Sequence, residues 1–187
     1  MSDERARLFV ALELPEPVRV ALVRWRTGAT RGIDGLRLVR EEDLHVTMCF
    51  LGSQTATEID AIAVACAVLA DERAAPLRVG TAIWLPPRRP RVLAVEFDDP
   101  DGALASAQSR LSDALGAGGW YRPEKRPFLA HVTVARVRGG ARVRAGELEP
   151  PPPLTLTGSI VTLFRSRLSP SGARYEGLAS VELGDGV

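Results

Sequence analysis

Two stretches, LHVTMCFLG (Leu44–Gly52) and AHVTVARV (Ala130–Val137), decide how this chain reads. The protein has two histidines, and each is followed by Val and then Thr. Both stretches are short and largely apolar, so each is expected to be a strand. Residues i and i+2 of a strand project from one face. His45 therefore stands beside Thr47, with Leu44, Val46, Met48 and Phe50 expected on the opposite, core-facing side. His131 stands beside Thr133 in the same way, against Val132 and Val134. Two such strands meeting in a cleft bring together two imidazoles and two hydroxyls.

The rest of the chain supplies a frame for that pair. RLFVALELP reads as a strand with Leu8, Val10, Leu12 and Leu14 on one face, stopped by Pro15. Val18, Leu22 and Trp25 recur at helical spacing. LRLVR is a further strand candidate, and Thr55 with Glu58 makes a capping box ahead of the stripe Ile59, Ile62, Cys66 and Leu69. LRVGTAIWL and RVLAVEF are strands joined through PPRRP. Asp99 and Pro100 are expected to open a helix carrying Leu104, Leu111 and Leu115, with Gly116 as its stop. GGARVRAGELEPPPP is a surface connection, and LTLTGSIVTLFRS and RYEGLASVEL close the chain as strands. Strands and helices are mixed and several strands are adjacent in sequence, which predicts antiparallel sheet in an α+β protein. The element order roughly repeats, with one His-x-Thr strand in each half, so a pseudo-repeat is expected.

Composition excludes several function classes. Of 187 residues, 45% are hydrophobic and 25% charged, ordinary for a globular chain with a sizeable core. A net charge of +1 argues against non-specific nucleic-acid binding by the whole molecule. Basic residues do cluster between Arg122 and Arg144, around the second motif, with Glu124 the acid among them. Cys49 and Cys66 are expected to be free, buried thiols rather than a disulfide framework. No apolar run approaches the length of a membrane span, and the charged MSDERARLF lacks a signal core, so the expected location is cytoplasmic.

The doubled His-x-Thr suits metal-free acid–base chemistry at a phosphodiester. One neutral imidazole takes a proton from water and one charged imidazole protonates the departing oxygen, both near neutral pH. Hydroxyls and a guanidinium hold the nonbridging oxygens. The guanidinium is Arg136 or Arg126. Arg136 lies five residues past His131, so strict alternation turns it to the other face unless a strand end or bulge intervenes. Trp120 and Tyr121, in a glycine-rich loop before the second motif, are candidates to stack on a base, whereas Trp25 and Trp84 are expected in the core. No HExxH or CxxC spacing points to zinc, no G-x-S-x-G elbow to a serine hydrolase, and no G-x-x-x-x-G-K-[ST] loop to a nucleoside triphosphate.

LHVTMCFLG and RPFLAHVTVARV resemble the paired motifs of the two-histidine phosphoesterase superfamily. The flanking RLFVALELP, RVLAVEF and LFRSRLSPSGARYEGL are similar to the RNA 2',3'-cyclic phosphodiesterases, long labelled 2'-5' RNA ligases. The resemblance covers nearly the whole chain, residues 1–187, as one two-lobed domain. It implies a bilobal, pseudo-two-fold arrangement of two antiparallel sheets flanked by helices, with the active site in the cleft between them. It implies hydrolysis of a terminal 2',3'-cyclic phosphate to a 2'-phosphate, without metal or cofactor; the chain itself is expected to be a monomer. His45 is then the proton donor to the leaving oxygen and His131 the acceptor that activates water. Thr47, Thr133 and Arg136 bind the phosphate, and Arg126, Trp120 and Tyr121 are further RNA-contact candidates. Ala130 stands where the family usually has proline, and Leu38 where an aromatic is common. The alternatives are ATP-independent 2'-5' ligation, a phosphodiesterase of small cyclic nucleotides, and a non-catalytic RNA-binding module.

Overall fold

The computed structural model describes residues 4–169 and 172–184. Its strands are β1 (Arg5–Glu13), β2 (Leu36–Leu38), β3 (His45–Thr55), β4 (Ala75–Leu85), β5 (Val92–Asp98), β6 (His131–Val137), β7 (Thr155–Gly158), β8 (Ile160–Ser169) and β9 (Gly172–Glu182). The helices are α1 (Glu16–Ala29), α2 (Ile59–Cys66) and α3 (Ala103–Ala117). Strand order is β7-β4-β5-β6-β3-β1-β8-β9, antiparallel throughout, with β2 added alongside β6.

The order divides into two four-strand halves at the β6–β3 junction. There a single residue pair, Val46 opposite Val132, joins them. The expected two sheets are thus two lobes of one curled sheet, which diverge on either side of the histidine strands. The halves correspond: β1–α1–β3 in one matches β5–α3–β6 in the other, each histidine strand lying beside the strand that precedes its helix. α1 lies against β6 and α3 against β3 and β4, so each of these helices braces the other half's histidine strand.

Alternation sorts the residues of β1 as expected. Leu8, Val10 and Leu12 are fully buried, and Leu14 beyond the strand is buried with them. They pack with Val18 and Leu22 of α1, Ile62 and Cys66 of α2 and Leu104, Leu111 and Leu115 of α3 in one contiguous core. Full burial of a leucine side chain contributes about 1.5–3 kcal/mol, so this stripe holds the helices on the convex face and leaves the concave face free of them. Trp84 is buried and Trp25 packs against the core. Their indole N–H groups donate to the carbonyls of Gly146 (3.0 Å) and Glu149 (2.9 Å), pinning the irregular connection after β6. Both cysteines are free and buried.

Local signals hold with shifted boundaries. The Thr55–Glu58 capping box forms, but it caps a 3₁₀ turn, Ala56–Glu58, that leads into α2. α3 begins at Ala103 behind Gly102, which takes φ +67°, and not at Pro100. Asp99 still serves that end, its Oδ2 accepting from the Ala105 amide at 2.8 Å. The helix runs one residue past Gly116. LTLTGSIVTLFRS is two strands, because β7 pairs with β4 in one lobe and β8 with β1 in the other.

Candidate active site

Val46 and Val132 are fully buried at the junction, so the residues on either side of each must face the concave side. Carrying the antiparallel register one residue each way sets His45 opposite Thr133 and Thr47 opposite His131. The four side chains converge. His45, Thr47, His131, Thr133 and Arg136 line one small hollow of about 30 Å³, with Val39, Asp43 and Tyr175 completing its wall.

Arg136 reaches this hollow through a bulge. β6 pairs Thr133 with Ala94 and Ala135 with Leu93, so Val134 is an extra residue against β5. Val134 and Ala135 are both buried, the alternation resets, and Arg136 returns to the face of Thr133. The Val134 carbonyl, freed from the ladder, accepts from the Val39 amide (3.0 Å) and from Nη1 of Arg26 (3.0 Å), a buried guanidinium on α1. The other half repeats the device at the matching position: Met48 is extra against β1, between Thr47 opposite Ala11 and Cys49 opposite Val10. Phe50, expected in the core, is therefore turned to the cleft face and is 46% exposed. That expectation is corrected, and the same kind of bulge, one in each half, accounts for both residues.

Each histidine is held alike. Nδ1 of His45 lies 2.7 Å from the Asp43 carbonyl, and Nδ1 of His131 lies 2.8 Å from the Leu129 carbonyl. A carbonyl only accepts, so Nδ1 carries the proton and donates in both rings. Nε2 is left as the working nitrogen, a base when the ring is neutral and an acid when it is charged. Asp43 is buried and fixed by Arg40, whose Nε and Nη2 donate to its two carboxylate oxygens at 2.7 and 3.0 Å.

The surroundings of the His45 ring are apolar and cationic. Phe9 (4.9 Å), Tyr175 (5.2 Å) and Phe164 (6.2 Å) surround it, measured between ring centres. Burial pushes its pKa down to about 4, opposed by the Asp43 carbonyl and reinforced by the charges of Arg136 and His131.

Three larger cavities share residues with the hollow: one of about 180 Å³ includes His45, Glu13, Glu42 and Asp43 in its wall, and two more flank the histidine pair. One, of about 290 Å³, lies on the His45 side and is lined by Arg7, Phe9, Arg37, Phe50, Arg136 and Tyr175 among others. The other, of about 720 Å³, lies on the His131 side; Arg126 and Tyr121 line it together with Phe50, Leu85, Phe128 and Leu129. Trp120 is placed elsewhere: its indole donates to Glu58 at 3.0 Å, it packs against the core, and it lines none of the cavities that contain a histidine. Arg7, Phe9, Arg37, Phe50 and Tyr175 were not singled out from the sequence. A signal existed for two of them, because Arg7 and Phe9 occupy the face of β1 opposite Leu8 and Val10.

A family model described as the 2'-5' RNA ligase superfamily matches residues 14–168. The chain belongs to this superfamily. Among relatives, the RNA 2',3'-cyclic phosphodiesterase of Thermus thermophilus is 32% identical over 95% of this chain and 90% of its own length. That of Escherichia coli is 26% identical over 92% of this chain and 94% of its own. The crystal structure of E. coli LigT complexed with 3'-AMP matches with a TM-score of 0.81 at 26% identity, covering 96% of this chain and 99% of its own. The curled antiparallel sheet with flanking helices is the fold of that structure.

Proposed function

We propose that the protein is an RNA 2',3'-cyclic phosphodiesterase that opens a terminal 2',3'-cyclic phosphate to a 2'-phosphate, the whole chain acting as one two-lobed unit. The observation that carries this reading is the shared hollow in which both imidazoles, both threonines and Arg136 meet. The cyclic phosphate sits there. Thr47, Thr133 and Arg136 donate to its nonbridging oxygens, where the negative charge is held through the transition state.

Neutral His131 takes a proton from water at Nε2 as the water oxygen bonds to phosphorus. The bond from phosphorus to the 3'-oxygen breaks, and its electron pair leaves on that oxygen. Charged His45 gives the oxygen its Nε2 proton. Atoms and charge balance, and base, acid and cation are all side chains, so the reaction as drawn uses no metal or cofactor. His45, held down to about 4 by its protein surroundings, is neutral near pH 7. The entering phosphate brings a negative charge beside it, offsets the charge of Arg136, and raises its proton affinity so that it enters the reaction charged.

The test is incubation with an oligonucleotide ending in a 2',3'-cyclic phosphate, with and without EDTA, followed by identification of the product. A 2'-phosphate formed at the same rate in EDTA is expected. A 3'-phosphate, a metal requirement or no turnover overturns the proposal.

One observation favours a second activity at this site, ATP-independent 2'-5' joining. The groove of about 720 Å³ beside His131 exceeds the needs of a water molecule and has room for an end bearing a 5'-hydroxyl. Supplying such an acceptor and finding no joined product removes that reading and leaves hydrolysis.

A further inference from the structure

Three guanidinium groups, those of Arg7, Arg37 and Arg136, line the cavity of about 290 Å³ on the His45 side, and among the described residues no carboxylate lines that cavity with them. The ion pairs formed among the described residues use Arg40, Arg73, Arg110 and Arg167 and none of these three. Arg37 on β2 is paired in register with Arg136 on β6. Like charges placed opposite one another across two strands destabilise the pair, and an anion bound between them offsets that cost. Arg7 extends over the face of Phe50, its guanidinium carbon 4.8 Å from the ring centre. Stacking orients that planar group while leaving its N–H donors at the rim.

One cyclic phosphodiester does not use all of this charge. Its two nonbridging oxygens are served by Thr47, Thr133 and Arg136 in the small hollow. Arg7 and Arg37 do not line that hollow; they lie further out on the His45 side. In the reaction assigned above, the leaving 3'-oxygen faces His45, so the ribose extends to the same side. The next anionic group along an RNA chain from that ribose is the phosphate on its 5'-oxygen.

We propose that Arg7 and Arg37 form a second phosphate subsite that holds the 5'-phosphate of the nucleotide bearing the cyclic phosphate. This rests on the reaction assigned above and adds the feature of the RNA end that the protein measures. Two sources supply this group, the internal phosphodiester of an oligonucleotide and the terminal monoester of a 5'-phosphorylated mononucleotide.

The experiment compares kcat/KM for three substrates: adenosine 2',3'-cyclic phosphate with a free 5'-hydroxyl, its 5'-phosphorylated form, and the dinucleotide ApA ending in the 2',3'-cyclic phosphate. Both substrates with a 5'-phosphate are expected to exceed the first by roughly ten- to hundredfold, the effect of one or two charge-assisted hydrogen bonds. R7Q and R37Q each lower that ratio, the double variant brings it near one, and raising the salt concentration shrinks it in the native protein. Both side chains are exposed, so their replacement leaves the core intact. As a second readout, adenosine 2',5'-bisphosphate should inhibit the native protein more tightly than adenosine 2'-phosphate, and the double variant should lose that difference.

Equal kcat/KM for the three substrates overturns the subsite, as does a ratio unchanged in the double variant. A gain confined to the dinucleotide overturns it too, since a second nucleoside is then what is recognised. Absence of turnover on the 5'-hydroxyl substrate, even at high protein concentration, and on both others removes the assigned reaction and the subsite with it. Turnover of that substrate keeps the two conclusions separable.

Discussion

Acidifying the protein charges the His45 ring where it is least tolerated, among three aromatic rings and beside Arg136. In the unfolded chain that imidazole takes its proton near 6.5; in the folded protein it does so only at about 4. Between these values the unfolded state binds more protons, so stability falls as pH falls. The ring costs nothing above 6.5, about 1.4 kcal/mol one pH unit below it, and the full amount below about 4. At 1.36 kcal/mol per pH unit the full amount is about 3 kcal/mol. That is a large part of the stability of about 5–15 kcal/mol usual for a domain. The assay is urea unfolding of the native protein and of H45Q at pH 7, 5.5 and 4. The gap between the two should move in favour of the variant by about 1.4 kcal/mol at pH 5.5 and about 3 kcal/mol at pH 4. With a urea slope of about 1–3 kcal/mol/M, the last value displaces the midpoint by at least about 1 M. NMR titration of the His45 ring supplies the second half: adenosine 2'-phosphate, an anion beside Arg136, should raise its pKa and its binding should take up protons. Identical pH dependence in native protein and variant, or a His45 ring that titrates near 6.5 in the empty protein, refutes the reasoning.

Replacing either His45 or His131 by Ala should lower the rate of cyclic-phosphate opening by about 10²–10⁴, with an unchanged circular dichroism spectrum. R26M removes the donor that fixes the Val134 carbonyl at the bulge. It should cost about 1.5–3 kcal/mol of stability and raise KM more than it lowers kcat, with part of the affinity restored in R26K. At Gly158 an added methyl group would lie 2.5 Å from Cδ2 of the fully buried Leu12. G158A is therefore expected to destabilise the protein by about 1–3 kcal/mol through overpacking, read as a lower thermal midpoint with kinetics unchanged.

The elements were legible in the sequence because each is a local matter. Leu8, Val10, Leu12 and Leu14 declare a strand by alternation, and Val18 and Leu22 declare a helix by their spacing. Boundaries were less legible. α3 starts at Ala103 because Gly102 takes a left-handed conformation, and Asp99 reaches across the intervening turn to cap it. Trp120 stood out as an aromatic in a glycine-rich loop, but its indole is held by Glu58, a partner 62 residues away that no local pattern displays.

What the sequence determined by itself is the chemistry available: two imidazoles, each with a threonine hydroxyl at its side, because a strand of L-residues must place i and i+2 together. What the tertiary structure decided is where the residues five positions past each histidine point. A bulge exists only in relation to a partner strand, so an extra residue at Met48 or Val134 is invisible until β3 lies against β1 and β6 against β5. Those two pairings turn Phe50 and Arg136 into the cleft. The pairing of β2 with β6 then sets Arg37 beside Arg136, and guanidinium groups scattered along the chain come to line one cavity.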